Sequence, residues 1–170
     1  MTEHRLEVRS AVVEDAEAIA RTHIESWRET YSGILVESNF SPEAFNRRLA
    51  FWSRYLEMDP RPGKMIVAAR DGVVVGFANS GPAKGPDAEH GHAPVRDLNL
   101  FSIYLLADAH SSGLGRMMLQ EVLDGQPAQL WVLRGNGRAI AFYRRNGFDF
   151  DGVVFTDPHD PGQVELRMVR

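Results

Sequence analysis

Tyr104-Leu105-Leu106-Ala107-Asp108-Ala109-His110-Ser111-Ser112-Gly113-Leu114-Gly115-Arg116 is the stretch on which the reading of this chain turns. Its first residues close the longest apolar run, Leu98 to Leu106, which the pattern predicts to be a central strand. Its last residues open a helical pattern through Met117, Met118, Gln120, Glu121, Val122 and Leu123, ended by Asp124-Gly125. Between strand and helix lies a turn with two serines and two glycines. The first N–H groups of a helix have no intrahelical acceptor, and the dipole favours negative charge there. Glycine lets backbone approach an anion closely. The serine hydroxyls and Arg116 add donors. The stretch therefore suits a phosphate or pyrophosphate, although a serine-glycine turn before a helix can equally be a plain cap. The lysine and following Ser/Thr of a P-loop are absent, and so is the six-residue dinucleotide glycine pattern near the N-terminus.

Working outward, Leu6-Glu7-Val8 alternates as a short strand. Ala16, Ile19, Ala20, His23, Ile24, Trp27 and Tyr31 recur at helical spacing. Acidic Glu14 and Asp15 mark the start of that helix, and Gly33 stops it. Ser41-Pro42-Glu43 starts a second helix with a capping serine and proline at its first position. Phe45, Leu49, Trp52 and Leu56 form its stripe, and Asp59-Pro60-Arg61-Pro62-Gly63 breaks it. Met65–Ala69 and Val73–Ala78 flank Asp71-Gly72, a hairpin signal. Gly81 to Pro94 reads as a long exposed loop, a kind that is often functional. Gln129 to Leu133 is a strand, Asn136 to Arg145 a helix closed by Asn146-Gly147, and Val153–Phe155 with Val164–Val169 a final strand pair. Early helices, a central hairpin and two strand-helix units imply an α/β (α+β) single domain over 1–170 with a mixed sheet.

The 170 residues fit one domain on the usual prior of roughly 100–200 residues. Hydrophobic residues at 44% and charged residues at 25% are globular values. The chain has no cysteine, which removes disulfides, thiolate nucleophiles and zinc-thiolate sites and suits a reducing compartment. A net charge of -4 lacks the basic footprint of a nucleic-acid binder. No apolar run approaches the ~18 residues of a membrane span. MTEHRLEVRS has no apolar signal core, so a cytoplasmic protein is expected.

With these elements in place, the chain resembles the GCN5-related N-acetyltransferase (GNAT) superfamily. Ile103 to Gly115 resembles the family's strand-turn-helix motif for the acetyl-CoA pyrophosphate, whose turn reads Gln/Arg-x-x-Gly-x-Gly/Ala; here it is His110-Ser111-Ser112-Gly113-Leu114-Gly115. Leu130-Trp131-Val132-Leu133, then Asn136, Ala139, Phe142, Tyr143 and Asn146-Gly147-Phe148, resembles the second motif, a strand followed by N-x-x-A-x-x-F-Y-x-x-x-G-F. Ser26 to Gly33 is similar to a helix-to-loop segment of one bacterial branch. The resemblance implies a mostly antiparallel twisted sheet flanked by helices and acetyl transfer to an amine, with acetyl-CoA as cosubstrate and no metal. Two positions depart from the pattern. His110 replaces glutamine or arginine, and as a histidine it can still donate to phosphate. Asn99 stands where that branch carries glutamate, and asparagine cannot act as a base.

The chemistry requires that the thioester be held and its carbonyl polarised. The amine (pKa about 10 if lysine-like) must lose a proton, and the departing thiolate (about 8.5 for a free thiol) must gain one. The resemblance assigns holding to Tyr104, Leu105, His110, Ser111, Ser112, Gly113, Leu114, Gly115, Arg116, Asn136, Phe142 and Tyr143. It gives the Leu105 N–H as oxyanion donor and Tyr143 as the acid toward sulfur. Without the motif, Tyr143 beside Phe142 would read as a core aromatic. Asp97 lies two residues before Asn99, on the same sheet face, and could take the amine proton through water; as a bare strand-end carboxylate it is the blander reading. Glu29, His23, His90 and His92 are weaker bases, and an amine arriving neutral needs none. Trp27, Tyr31 and Asn99 could line an acceptor pocket, though helix core explains the first two equally well. His90-Gly91-His92 lacks a third metal ligand and reads as a solvated loop. Asp157 to Asp160 reads as a solvated hairpin loop. The expected partners are acetyl-CoA and an amine, with a homodimer compatible and neither nucleic acid nor membrane involved. The rival readings are a degenerate CoA-binding or regulatory module of the same fold without turnover, and a nucleotide binder unrelated to CoA.

Overall fold

The computed structural model describes residues 4–33 and 35–170. Its strands are β1 (Leu6–Ser10), β2 (Lys64–Arg70), β3 (Val73–Pro82), β4 (Leu98–Leu105), β5 (Gln129–Leu133), β6 (Asp149–Thr156) and β7 (Val164–Val169). Its α-helices are α1 (Ala16–Tyr31), α2 (Pro42–Glu57), α3 (Pro86–Glu89), α4 (Leu114–Leu123) and α5 (Gly137–Arg145). Short 3-10 turns occupy Val13–Asp15, Glu37–Phe40 and Ala107–Ala109. The strands form a seven-stranded, mostly antiparallel sheet in the order β1-β2-β3-β4-β5-β7-β6. β4 and β5 run parallel, paired through Asn99↔Gln129 and Leu100↔Leu130. Among the described residues no helix is long and apolar enough to cross a membrane. By contact, the chain divides into two compact units, Met1–Asn79 with Ser102–Val122, and Ser80–Phe101 with Leu123–Arg170.

In the first unit, the periodic face of α1 buries Ile19 and Ala20, which join Trp52 and Leu56 of α2 and Met65, Val67 and Phe77 of the hairpin in one core. Large aromatic and aliphatic side chains here contribute roughly 1.5–3 kcal/mol each on burial. Ser41 Oγ accepts from the Ala44 N–H at 3.1 Å, the cap expected for α2. Asp15 does more than favour a dipole: its carboxylate accepts from the Val12 N–H at 2.9 Å and from Arg9 at 2.7 and 2.8 Å. Burial pushes its pKa up, but these donors outweigh that and hold it below the ordinary value. Asp71 and Gly72 have φ of 53° and 81°, the left-handed pair that a two-residue hairpin turn demands. Gly76 marks a close approach of β3 to β4: a Cβ there would lie 2.8 Å from both the Tyr104 carbonyl oxygen and Leu105 Cδ1.

In the second unit, the segment expected to be an exposed loop is exposed over residues 91–94, but before that it is partly built into the structure. β3 continues to Pro82, α3 follows, and Ala88 is fully buried. Two donors hold α3 in place. Gln129 Nε2 and Trp131 Nε1, both on β5, donate to the Ala88 carbonyl at 3.2 and 2.8 Å. In the histidine loop Gly91 and His92 are exposed as expected, but His90 is not solvated. His90 stacks on Phe155 at 4.1 Å between ring centroids, and its Nε2 lies 3.0 Å from Glu165 Oε2. Burial, reinforced by Asp157 and Asp87, holds the Glu165 carboxyl above its ordinary pKa against the pull of His90. β6 begins four residues before the expected Val153 and pairs with β7 across a register shift between Phe150 and Val154, where Gly152 has φ of 89°. Asp157 and Asp160 accept from the backbone N–H groups of His159 and Gly162, making local turns in the β6–β7 loop.

Candidate active site

The turn after β4 is built from its own hydrogen bonds. Ser112 Oγ donates to the Ala109 carbonyl at 2.6 Å and accepts from the Leu114 N–H at 3.3 Å, so it caps α4. Ser111 (φ 63°) and Gly113 (φ 90°) are left-handed, which turns the chain sharply into the helix. A Cβ on Gly113 would meet nothing within 4 Å, so glycine here leaves open space beside the backbone. The amides of Gly115 and Arg116 follow in the first helical turn, where a helix supplies no internal acceptor. Leu114, by contrast, is fully buried and anchors the turn.

His110 does not present its ring as a plain donor to an anion. Its Nε2 lies 2.8 Å from the Leu105 carbonyl oxygen. Nδ1 is buried without a hydrogen-bond partner. At β3, the Leu106 N–H donates to the Val75 carbonyl at 2.9 Å. Because successive strand amides alternate in direction, the N–H of Leu105 points away from β3. It is thereby oriented as an outward donor one residue before the turn.

An aromatic cluster lies against this end of β4 in the same unit. The Tyr104 ring stacks on His23 (5.1 Å, 18°), and Trp27 stands edge-on to Tyr104 (6.3 Å) and to Tyr31 (5.4 Å). Trp52 Nε1 is 3.1 Å from His23 Nδ1, which must therefore accept. Burial, with Arg48 nearby, lowers the His23 pKa to about 3. A ring that resists protonation so strongly is a poor general base. Glu29 is also committed, since its Oε2 accepts from the Ala107 N–H at 2.8 Å and ties α1 to the turn.

In the second unit, Asn136 Oδ1 accepts from the Ala139 N–H at 3.1 Å and caps α5. Tyr143 is buried on that helix, edge-on to Phe142 and Phe148. Asp97 precedes β4 and is exposed; its carbonyl accepts from the Ala83 N–H. Asn99 is only 1% exposed, and its Oδ1 accepts from Gln129 Nε2 at 3.3 Å. Among the described residues there is no group of three or more side chains able to hold a metal ion.

A family model, that of the acetyltransferase (GNAT) family, matches residues 17–148. The chain belongs to this family. It is an N-acetyltransferase, an enzyme of the transferase class. It is 33% identical over 144 residues to the uncharacterized N-acetyltransferase YuaI of Bacillus subtilis (strain 168), covering 81% of this chain and 76% of that protein. It is 26% identical over 160 residues to the probable N-acetyltransferase Rv2775 of Mycobacterium tuberculosis, covering 92% and 87%. Among solved structures, the PaiA N-acetyltransferase from Thermoplasma acidophilum in complex with coenzyme A superposes with a TM-score of 0.70, at 19% identity, over 96% of this chain and 98% of that one. That likeness bears on the GNAT fold.

One residue that the sequence reading passed over is Arg48 of this acetyltransferase. It lies three residues after Phe45 and four before Trp52, on the apolar face of α2. Its guanidinium carbon sits 5.1 Å from the centroid of the Trp27 ring. A charge interrupting an apolar stripe at helical spacing was the available signal.

Proposed function

We propose that the enzyme transfers the acetyl group of acetyl-CoA to the primary amine of a small molecule or peptide by direct attack on the thioester. The observation that carries this reading is the outward N–H of Leu105 one residue before a turn of open backbone and first-turn amides. That sequence of donors suits a thioester oxygen followed by a diphosphate. The PaiA neighbour with coenzyme A bound and the family match support the same cosubstrate. The family model spans parts of both units, which supports one catalytic domain over 1–170. The cysteine-free sequence supports a cytoplasmic setting.

On this reading, Ser111, Ser112, Gly113, Leu114, Gly115 and Arg116 hold the diphosphate through backbone amides and added donors, with His110 bracing the turn. Tyr104 and Leu105 align the pantetheine arm, while Asn136 and Phe142 orient it from α5. Trp27 and Tyr31 wall the acceptor, whereas Asn99, buried and bonded to Gln129, is a structural residue and not a wall of that pocket. The amine lone pair attacks the carbonyl carbon, and the Leu105 N–H stabilises the charge that develops on oxygen. As the C–S bond breaks, Tyr143 gives its phenolic proton to sulfur. The proton lost by the amine leaves through water to Asp97, and the tyrosine is reprotonated from solvent.

Release of free thiol from acetyl-CoA across an amine panel tests the reading. Amine-dependent release that Tyr143→Phe suppresses supports it. Tight CoA binding without release for any amine establishes the non-catalytic module instead. Thermal stabilisation by ATP or NAD but not by CoA overturns both.

A further inference from the structure

Arg48 occupies an unusual electrostatic position. It is partly buried on the apolar face of α2, and Nη1 donates to the Asn39 carbonyl at 3.0 Å. Among the described residues no carboxylate pairs with it, and its neighbour Arg47 is also positive. Burial holds its pKa below the ordinary value, countered in part by Tyr104 and reinforced by Arg47. Arginine nevertheless keeps its charge at any working pH. A desolvated cation without a counter-charge is costly, and a planar guanidinium matches a carboxylate better than any other partner.

Trp27, whose ring Arg48 covers, carries a second unmet demand. Its Nε1 is buried and has no hydrogen-bond acceptor, a state that costs about 1–3 kcal/mol. A cation without a counter-charge on α2 therefore lies over the ring of an indole on α1 whose N–H lacks an acceptor. They adjoin Tyr104 at the end of β4, the strand along which the thioester is proposed to lie. His23, kept neutral by Trp52 and by burial, adds no competing charge.

We propose that Arg48 and the indole N–H of Trp27 form a receptor for a carboxylate carried by the acceptor, which makes the acceptor an amino acid or related amino carboxylate. This deepens the acetyl-transfer reading and rests on it. The carboxylate supplies the charge Arg48 lacks and the acceptor Trp27 lacks, and it places the amine of the same small molecule beside β4.

The test uses matched pairs, β-alanine with β-alaninamide and lysine with lysinamide, against the full chain saturated with CoA. Binding is read by calorimetry and turnover separately by thiol release from acetyl-CoA. At least one carboxylate should bind about tenfold more tightly than its carboxamide, the scale of a charge-assisted hydrogen bond. Arg48→Gln should abolish that preference while moving carboxamide binding less than twofold. Arg48→Lys should keep part of it, and Trp27→Phe should reduce it several-fold. Equal binding within both pairs overturns the receptor. So does an Arg48→Gln effect shared equally by carboxylate and carboxamide, which would make Arg48 a clip for the Asn39 carbonyl. Loss of selectivity in Arg48→Gln with no change in Trp27→Phe assigns the Trp27 N–H to the neighbouring ring faces and overturns its share. Should Arg48→Gln not fold, the Arg48→Lys comparison decides. Carboxylate-selective binding with no thiol release from any amine defeats the acetyl-transfer reading and leaves the receptor standing.

Discussion

His110 Nε2 and the Leu105 carbonyl oxygen, 2.8 Å apart, strap the end of β4 to the turn that opens α4. The carbonyl can only accept, so Nε2 carries the hydrogen. His110 stands where the resemblance leads one to expect glutamine or arginine, and it braces the turn with a side-chain N–H that glutamine also possesses. His110→Ala is expected to raise the acetyl-CoA KM about fivefold, the scale of one lost hydrogen bond. His110→Gln should restore most of it. Steady-state kinetics of thiol release check both, and an unchanged KM in the alanine variant would remove the brace from the binding machinery.

Tyr143→Phe isolates the proton given to sulfur. The ring packs edge-on to Phe142 and Phe148, and phenylalanine keeps that packing. Removing a general acid costs about 10²–10⁴ in turnover. The expected outcome is a fall of at least about a hundredfold in kcat with CoA affinity and Tm held. A parallel loss of affinity and stability would mark Tyr143 as a core aromatic.

Much of this was legible in the chain. Period and punctuation located both early helices, because Ser41-Pro42 and Gly33 act locally and need no tertiary partner. The hairpin followed from Asp71-Gly72 for the same reason. What escaped depends on partners distant in sequence. α3 is held by Gln129 and Trp131, some forty residues on, which donate to the Ala88 carbonyl. His90 looked solvated because nothing nearby in sequence announces Glu165 or Phe155. The turn itself was readable since Ser112 bonds within it, to the Ala109 carbonyl and the Leu114 N–H; the pairing of Arg48 with Trp27 was not.

His23 makes stability depend on pH. Its folded pKa of about 3 lies below the ordinary histidine value of roughly 6.5, so the unfolded chain takes up a proton that the folded one refuses. This histidine costs nothing above pH of about 6.5 and erodes stability progressively as pH falls from there toward 3, at up to about 1.4 kcal/mol per pH unit. His23→Gln, which can still accept from Trp52, should be less stable at neutral pH and show a flatter acid limb. Urea unfolding midpoints at several pH values for both proteins check this; identical slopes would contradict it.

Gly76→Ala places a methyl 2.8 Å from the Tyr104 carbonyl oxygen, against backbone that cannot swing aside as a side chain would. Overpacking of this kind costs about 1–3 kcal/mol. The displaced strand carries Leu105, so kcat should fall together with Tm. A fall in Tm with kcat intact would separate β4 position from catalysis.

Gly113 offers the cleanest probe of the diphosphate. Its φ of 90° strains any L-residue, and a Cβ there touches nothing in the protein. Gly113→Ala should therefore cost backbone strain of about 1–2 kcal/mol and no steric clash within the chain. Gly125 has φ of 69° and equally open space at the far end of α4, so Gly125→Ala carries a comparable strain away from the turn. The two variants should lose similar Tm. Only Gly113→Ala should raise the acetyl-CoA KM, by about tenfold or more, because its methyl enters the space the diphosphate needs against the backbone. Differential scanning fluorimetry paired with KM measurements reads both effects. Equal KM values for the two variants would mean that the open space beside Gly113 holds no ligand, and the placement of acetyl-CoA on this turn would fall with it.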